Sequence, residues 1–544
     1  MRKQVSTFVA ASGALLGLTA CGDIAVANLN NPDVARAYAT PAGVEGVIAG
    51  LGVQVFNTQR ATESVNTQSK IFAGETFASV ANFGMAARAQ IPRSIISNEL
   101  GNDNQTGNIA NFNQFSRVSR TAANAIVAVN ALGKAGQTIG SPAQDARAKA
   151  FAFLILGQAL GNLSLAYDSA AIVTPAVPSD EVPKLSGASA VNTAALQMLD
   201  SAIAIANSAA ATTGSNGFPL PSTWLNGNSV SRDQFVALAR SYKARFRAGV
   251  ARTAAARAAV NWNDVIADAN GGVKTDFTVN IGGGSGWGAA FDMSQIYVVG
   301  GWHTAPMYYY GMADTSGAYG AWLATVRDSR KAFLVATPDR RWPTGTTRPA
   351  QQAEAPTLAP KPGVYMRNRP TGEDVPLQGP GDSFYDHRRY GASNLNAVTG
   401  PYTEISATEM AMLAAEGYIR TNNIPAAVAL INTSRTKNGL DAIPASVTSA
   451  SAPYSTASNC VPRVPAAPAF TSANCGSILE AMKYEKRMET AFTGYMIWFT
   501  DNRGWADLVE GTVIEWPVPY QEMQARQQKY YNGETRAPKG TYGF

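Results

Sequence analysis

Apolar residues recur at helical spacing through most of this chain. Residues 41–59 place Val44, Val47, Ile48, Leu51 and Val55 on one stripe, which predicts a helix with a single buried face. The same spacing predicts helices over 122–132, 143–167, 191–209, 231–252, 404–421, 424–438 and 477–495. Most of these stretches are rich in Ala, so the helices can approach closely. Between 273 and 401 the periodicity gives way to Gly, Pro, Tyr and Trp, which predicts a large irregular lobe with short strands such as 275–280. Residues 442–471 are low in complexity and read as a surface loop.

The start of the chain has a different texture. Arg2 and Lys3 precede an apolar run from Val5 to Leu18, and Leu18-Thr19-Ala20-Cys21 follows as a lipobox. Two cations hold the start in the cytoplasm, a short apolar run enters the translocon, and small residues precede a thiol that accepts diacylglycerol. The run is too short for a stable span. These features predict a lipoprotein leader over 1–20, a mature chain that starts at a lipidated Cys21, and a polar tether over 21–32. No second run is long and apolar enough to cross a bilayer, so the lipid is the expected anchor.

Composition narrows the class. Only 15% of the 544 residues are charged, and the net charge of +6 falls to +4 once Arg2 and Lys3 leave with the leader. The remaining cations are dispersed, which is no nucleic-acid footprint. Two cysteines remain after lipidation, Cys460 and Cys475, and an oxidising compartment predicts a disulfide between them. In the chain-entropy model a loop of that size stabilises by about 3 kcal/mol.

Candidate chemistry is sparse. The two histidines, His303 and His387, belong to no His-Glu-x-x-His and no cluster at metal-ligand spacing, so no metal and no cofactor is expected. The run Gly282 to Gly286 lacks the Lys-Ser/Thr of a phosphate loop. No Gly-x-Ser-x-Gly elbow accompanies a triad, and no catalytic set is expected. Ligand capture would need exposed rings with polar neighbours. Trp287, Trp302, Tyr308, Tyr309, Tyr310, Tyr319 and Trp322 crowd the irregular lobe, and the Gly neighbours of Trp287 and Trp302 favour exposure of those two. Trp498, Trp505 and Trp516 read as packing residues.

Near the C-terminus, Ala415, Tyr418, Ala427, Ile431 and Ser434 fit the small and large positions of a tetratricopeptide helix pair, with Asn422-Asn423 at the turn. Residues 231–270 read as a degenerate second pair, with Ala239, Tyr242 and Trp262. One pair cannot bury its own face, so partner helices must supply the rest.

Four blocks carry a resemblance to a known family. They are Asn31-Pro32-Asp33 with the helix after it; 146–153 leading through Leu160-Gly161 to Asp168; 402–440, with Ala415-Glu416 and Ile431-Asn432 through Leu440; and 478–519, with Glu485-Lys486-Arg487-Met488-Glu489, Asp507-Leu508 and Trp516-Pro517. Together they resemble the SusD/RagB family of outer-membrane nutrient-uptake lipoproteins over nearly the whole length. The chain departs from the family's Gly-Asp-Val-Pro-like turn after Asp168.

The resemblance implies a mainly α fold, an α-α superhelix of tetratricopeptide-like helix pairs with a loop-rich irregular lobe. It divides the mature chain into an N-terminal helical part 33–272, a ligand lobe 273–401, and a C-terminal helical part 402–544 with an inserted loop 442–474. It implies a non-catalytic protein, lipid-anchored in the outer membrane and facing outward. Such a protein binds an oligosaccharide or peptide and delivers it to a SusC-like TonB-dependent transporter. The implied ligand arc draws on the mid-chain lobe and on an early loop, 75–104, where Phe83, Arg88, Arg93, Asn102 and Asp103 are the candidates. Two other classes compete: a lipid-anchored tetratricopeptide scaffold for envelope assembly, and a surface glycoside hydrolase, which needs two acidic residues with shifted pKa values facing a cleft.

Overall fold

The helical periodicity becomes a succession of helices, each packed on the next. The computed structural model describes residues 37–61, 64–78, 88–101, 106–213, 217–282, 284–288, 303–354, 361–370, 381–390 and 399–544. Its longer helices are α1 (Pro41–Ala49), α2 (Leu51–Arg60), α3 (Val65–Phe72), α4 (Thr106–Lys134), α5 (Pro142–Ala166), α6 (Ala188–Ala206), α7 (Arg232–Gly249) and α8 (Trp262–Asn270), followed by α9 (Ala407–Arg420), α10 (Ile424–Lys437), α11 (Ile478–Thr490) and α12 (Ile497–Trp505). From α4 to α10 each helix packs against its successor, except that α8 reaches α9 across the intervening lobe. The architecture is mainly α, as expected.

Local chemistry sets the boundaries. Ser141, Ser231, Ser406 and Ser477 cap the N-termini of α5, α7, α9 and α11 by accepting a backbone N–H three residues on. At α7, Gln234 returns the bond and completes a capping box. Asn422, at φ 60°, turns the chain between α9 and α10, and Asn423 caps α10. Ala415, Ala427 and Ile431 are fully buried at that pair, as the tetratricopeptide spacing requires.

Three sequence expectations shift. The stripe over 41–59 is two helices, broken at Gly50. Glu404 lies in a strand, and the helix expected over 404–421 starts after the Ser406 cap. The helix expected over 477–495 stops at Thr490, because Phe492 and Met496 adopt left-handed φ values of 58° and 56° before α12 begins.

Helix α5 is the axle. It is apolar on every side, and among the described residues it alone is long and apolar enough to cross a membrane, yet 89% of its most apolar window is buried inside the fold. Its glycines permit close approach: a Cβ at Gly161 would lie 2.1 Å from Phe246 of α7, and one at Gly157 2.8 Å from Leu199 of α6. Five two-stranded antiparallel ribbons complete the described structure. Strand β1 (Phe277–Ile281) pairs with β2 (Gly400–Ile405) and so ties the two ends of the irregular lobe together. One hydrophobic core runs from Val44 to Phe544, and a smaller one joins α9, α10 and α11 to the insert. Cys460 and Cys475 are disulfide-bonded, and the strands Arg463–Pro465 and Ala473–Cys475 form a hairpin beside them.

Charge is also used inside. Arg257 is fully buried and meets Glu416 at 2.6 Å and Asp501 at 3.0 Å, while Lys486 reaches Asp501 at 2.7 Å. Arg341 bridges Asp339, Glu485 and Glu489 at 2.7–3.1 Å. The charged block of α11 is therefore interior structure that locks the C-terminal helices to the lobe.

Candidate functional site: a tyrosine cleft at the C-terminal segment

The aromatics of the irregular lobe turn inward. Tyr308, Tyr309, Tyr310, Tyr319 and Trp322 are buried, and Trp287 is only 6% exposed. Tyr310 stacks on Trp498 with ring centroids 5.5 Å apart, and Tyr319 stacks on Trp322 at 5.9 Å. Trp287 packs on Phe56 at 5.2 Å, and the Asn57 side chain clamps its loop by bonding Gly286 O and Gly288 N. The Tyr310 hydroxyl donates to Glu75 O at 3.1 Å, and the Tyr309 hydroxyl donates to Asp507 O. Burial pushes the Tyr308, Tyr309, Tyr310 and Tyr319 hydroxyls up.

These rings do not present the exposed platform expected for Trp287, Tyr308, Tyr309, Tyr310 and Trp322. The physical reason is that a lobe with few helices has no aliphatic stripes, so its rings fill the interior. Arg93 is also buried, donating to Ile71 O and Tyr308, whereas Arg88 is half-buried. Phe83, Asn102, Asp103, Trp302 and the lipidation residue Cys21 lie outside the described residues. His303 and His387 sit buried in short strands, where desolvation lowers each pKa to about 3. Among the described residues no group of three His, Cys, Asp or Glu side chains could hold a metal ion.

Exposed rings occur elsewhere. Tyr530 and Tyr531 are 47% and 39% exposed and stand at a cleft of about 500 Å³ with Asp168, Glu515, Asn532 and Glu534 on its walls. The cleft is assembled from three distant parts of the chain. Where α5 ends, Trp516 N donates to Ala166 O at 2.8 Å and Asp168 N donates to Trp516 O at 3.0 Å, which sets Asp168 beside Glu515. The early loop braces the tyrosine segment without lining the cleft, through Ile96, bridged to Gly533, and through Asn98. The Asn98 side chain donates to Val518 O and Tyr531 O at 2.8 and 2.9 Å and accepts from Tyr520 N at 3.0 Å. One buried amide thus fixes the backbone that carries the tyrosines.

Polar contacts then orient the walls. The Tyr531 hydroxyl donates to Asp168 Oδ2 at 2.7 Å, and Ser169 donates to Asp168 Oδ1 at 2.9 Å. Arg252 donates to Glu515 Oε2 at 2.9 Å, while its Nη2 holds Ser164 O and Tyr167 O. Desolvation raises the Asp168 pKa, and the bonds from Tyr531 and Ser169 oppose that shift. Tyr530 keeps an edge contact with Tyr520 at 6.2 Å.

Ile96 and Asn98 of the early loop brace the segment that carries the tyrosines, and neither lines the cleft. Sequence reasoning missed Tyr530 and Tyr531. Their signal was a Tyr pair inside a polar run, Gln527-Gln528-Lys529 before it and Asn532-Gly533-Glu534 after it, with no apolar periodicity. Two further grooves, of about 520 and 580 Å³, lie at the C-terminus of α7 and beside the disulfide hairpin. Neither is lined by an aromatic ring.

No protein-family model and no curated protein sequence matches the chain. Solved structures do. A SusD-like protein from Bacteroides fragilis superposes with a TM-score of 0.56 at 12% identity, covering 92% of this chain and 98% of its own. A SusD superfamily protein from Bacteroides vulgatus gives 0.52 at 12% identity, with 91% and 94% covered. A chitin-binding SusD homologue from Flavobacterium johnsoniae gives 0.52 at 14% identity, with 90% and 98% covered. At such low identities the likeness bears on architecture, and over nine-tenths of its length this chain has the SusD-like fold.

Proposed function

We propose that this chain is a SusD/RagB-type binding protein, lipid-anchored through Cys21 in the outer membrane. It captures an oligosaccharide or peptide and passes it to a SusC-like TonB-dependent transporter. The observation that carries the binding role is the cleft at Tyr530 and Tyr531, where, among the described residues, exposed rings and hydrogen-bonding side chains meet solvent together. Stacking of apolar ligand faces on exposed rings, with polar groups to fix orientation, is how such sites work. The SusD-like fold and the chitin-binding homologue support the glycan reading.

A binding role also suits the cleft's carboxylates. Asp168 is engaged by Tyr531 and Ser169 and Glu515 by Arg252, so both are positioned as fixed acceptors for ligand hydroxyls. Two experiments test the proposal. Oligosaccharide-array binding by the purified mature chain should give hits that vanish in Tyr530→Ala/Tyr531→Ala. Affinity purification of the native lipoprotein from solubilised outer membrane should recover a TonB-dependent barrel in equal amount. Array hits that survive the double substitution, release of shortened oligosaccharides, or recovery of assembly factors without a barrel would each contradict it.

A further inference from the structure

We infer that the tyrosine cleft selects positively charged glycans, oligosaccharides that carry free amino groups. The inference rests on the cleft being the ligand site and adds the charge of the ligand. Three carboxylates, Asp168, Glu515 and Glu534, line the cleft, and among the described residues no Lys, Arg or His side chain lines it. Arg252 pairs with Glu515 and lies within electrostatic reach of Asp168, with its remaining donors spent on Ser164 O, Tyr167 O and Val250 O. Glu534 is exposed and Asp168 half-buried, so both present negative charge to an incoming ligand. The carboxylates stand out in a chain that is net positive, at +4 without Arg2 and Lys3.

The consequences follow from elementary electrostatics. A uronic or sulfated sugar meets like charge at the walls. A neutral sugar can donate hydroxyl hydrogens to the carboxylates. An ammonium group makes charge-assisted bonds to the same oxygens, roughly twice as strong as neutral ones. The flat rings of Tyr530 and Tyr531 favour a sugar over a basic peptide, because a pyranose offers an apolar C–H face of matching size.

The test compares three probes of equal length by calorimetry at a pH where amines are protonated: glucosamine oligomers, their N-acetylated counterparts and galacturonate oligomers. The glucosamine oligomer should bind about tenfold tighter than the acetylated one, and the galacturonate oligomer should not bind. Glu534→Gln should weaken the glucosamine oligomer more than the acetylated one and so narrow the gap between them, while Tyr530→Ala should weaken both. Equal affinity for the acetylated and free-amine probes, with Tyr530→Ala weakening both, overturns the charge inference and leaves the cleft reading standing. No binding of either, or no effect of Tyr530→Ala, overturns the cleft reading itself. Tighter binding of an oligolysine peptide, with the same dependence on Glu534, would reassign the ligand to a peptide.

Discussion

Two regions of this molecule use the same residue type for opposite ends. The tyrosines at 308–310 lie on a short helical turn whose flanking backbone is bonded inward, Ala305 N to Tyr385 O at 2.9 Å and Met307 N to Gly381 O at 2.8 Å. Their rings close on Trp342, Trp498, Tyr542 and Phe544. Tyr530 and Tyr531 lie on a segment held at the edge by the Asn98 amide, with Gln and Lys before and Asn and Glu after, and their rings remain partly exposed to water. A high density of aromatics therefore marks the core of a lobe that lacks helical stripes, and the exposed pair is the one embedded in polar sequence.

The contrast can be broken most severely from inside. Arg257→Ala would leave Glu416 and Asp501 buried without their shared cation, and breaking such a pair costs about 3–5 kcal/mol, read as a drop in the urea midpoint. Acid attacks the same pair. The Arg257 guanidinium holds the Glu416 pKa at about 2, below its ordinary 4.5, so this stabilisation is complete above 4.5 and lost as pH falls toward 2.

Truncating an inner ring should cost nearly as much. Tyr310→Ala removes the stack on Trp498 and should destabilise by about 3–5 kcal/mol, whereas Tyr530→Ala at the cleft should stay within about 0.5 kcal/mol in the same unfolding assay. Opening the disulfide with Cys460→Ser should cost about 3 kcal/mol and speed proteolysis within 442–474, with the tyrosine cleft unaffected.

The lobe's histidines give an effect that appears only as the pH falls. Both are buried neutral with pKa values near 3 against an ordinary 6.5, so below 6.5 the unfolded chain binds protons that the folded chain does not. Stability should then fall as pH drops from 6.5 toward 3, by up to about 1.4 kcal/mol per pH unit for each histidine. His387→Phe should flatten that slope in pH-resolved thermal unfolding. Smallest of all is Asp168→Asn at the cleft. Burial raises the Asp168 pKa, so its charge costs stability above that pKa, and the substitution should be neutral or stabilising by under about 1 kcal/mol.

How much of this was legible depended on whether the deciding contacts were local. The pair α9 and α10 could be read because Ala415, Ala427 and Ile431 recur at helical spacing and Asn422-Asn423 makes the turn. The first half of α4 could not, because 106–121 is rich in Asn, Gln and Ser; the structure buries Asn108 and Asn111, with Asn111 bonded to Thr58 O and Val65 N. Charged Lys486, Arg487 and Glu489 look like a solvated face until Asp501, Asp507 and Arg341 arrive from other elements. The cleft was hidden for the same reason, since Tyr531 meets Asp168 across 363 residues.

The central claim is that the ligand rests on Tyr530 and Tyr531 and that the mid-chain rings serve the core. The most direct test measures oligosaccharide affinity and unfolding midpoint together on two variants, Tyr530→Ala/Tyr531→Ala and Tyr310→Phe. The account predicts an affinity loss of about tenfold or more with an unmoved midpoint for the first, and unchanged affinity for the second. An unmoved affinity in the double variant would contradict it.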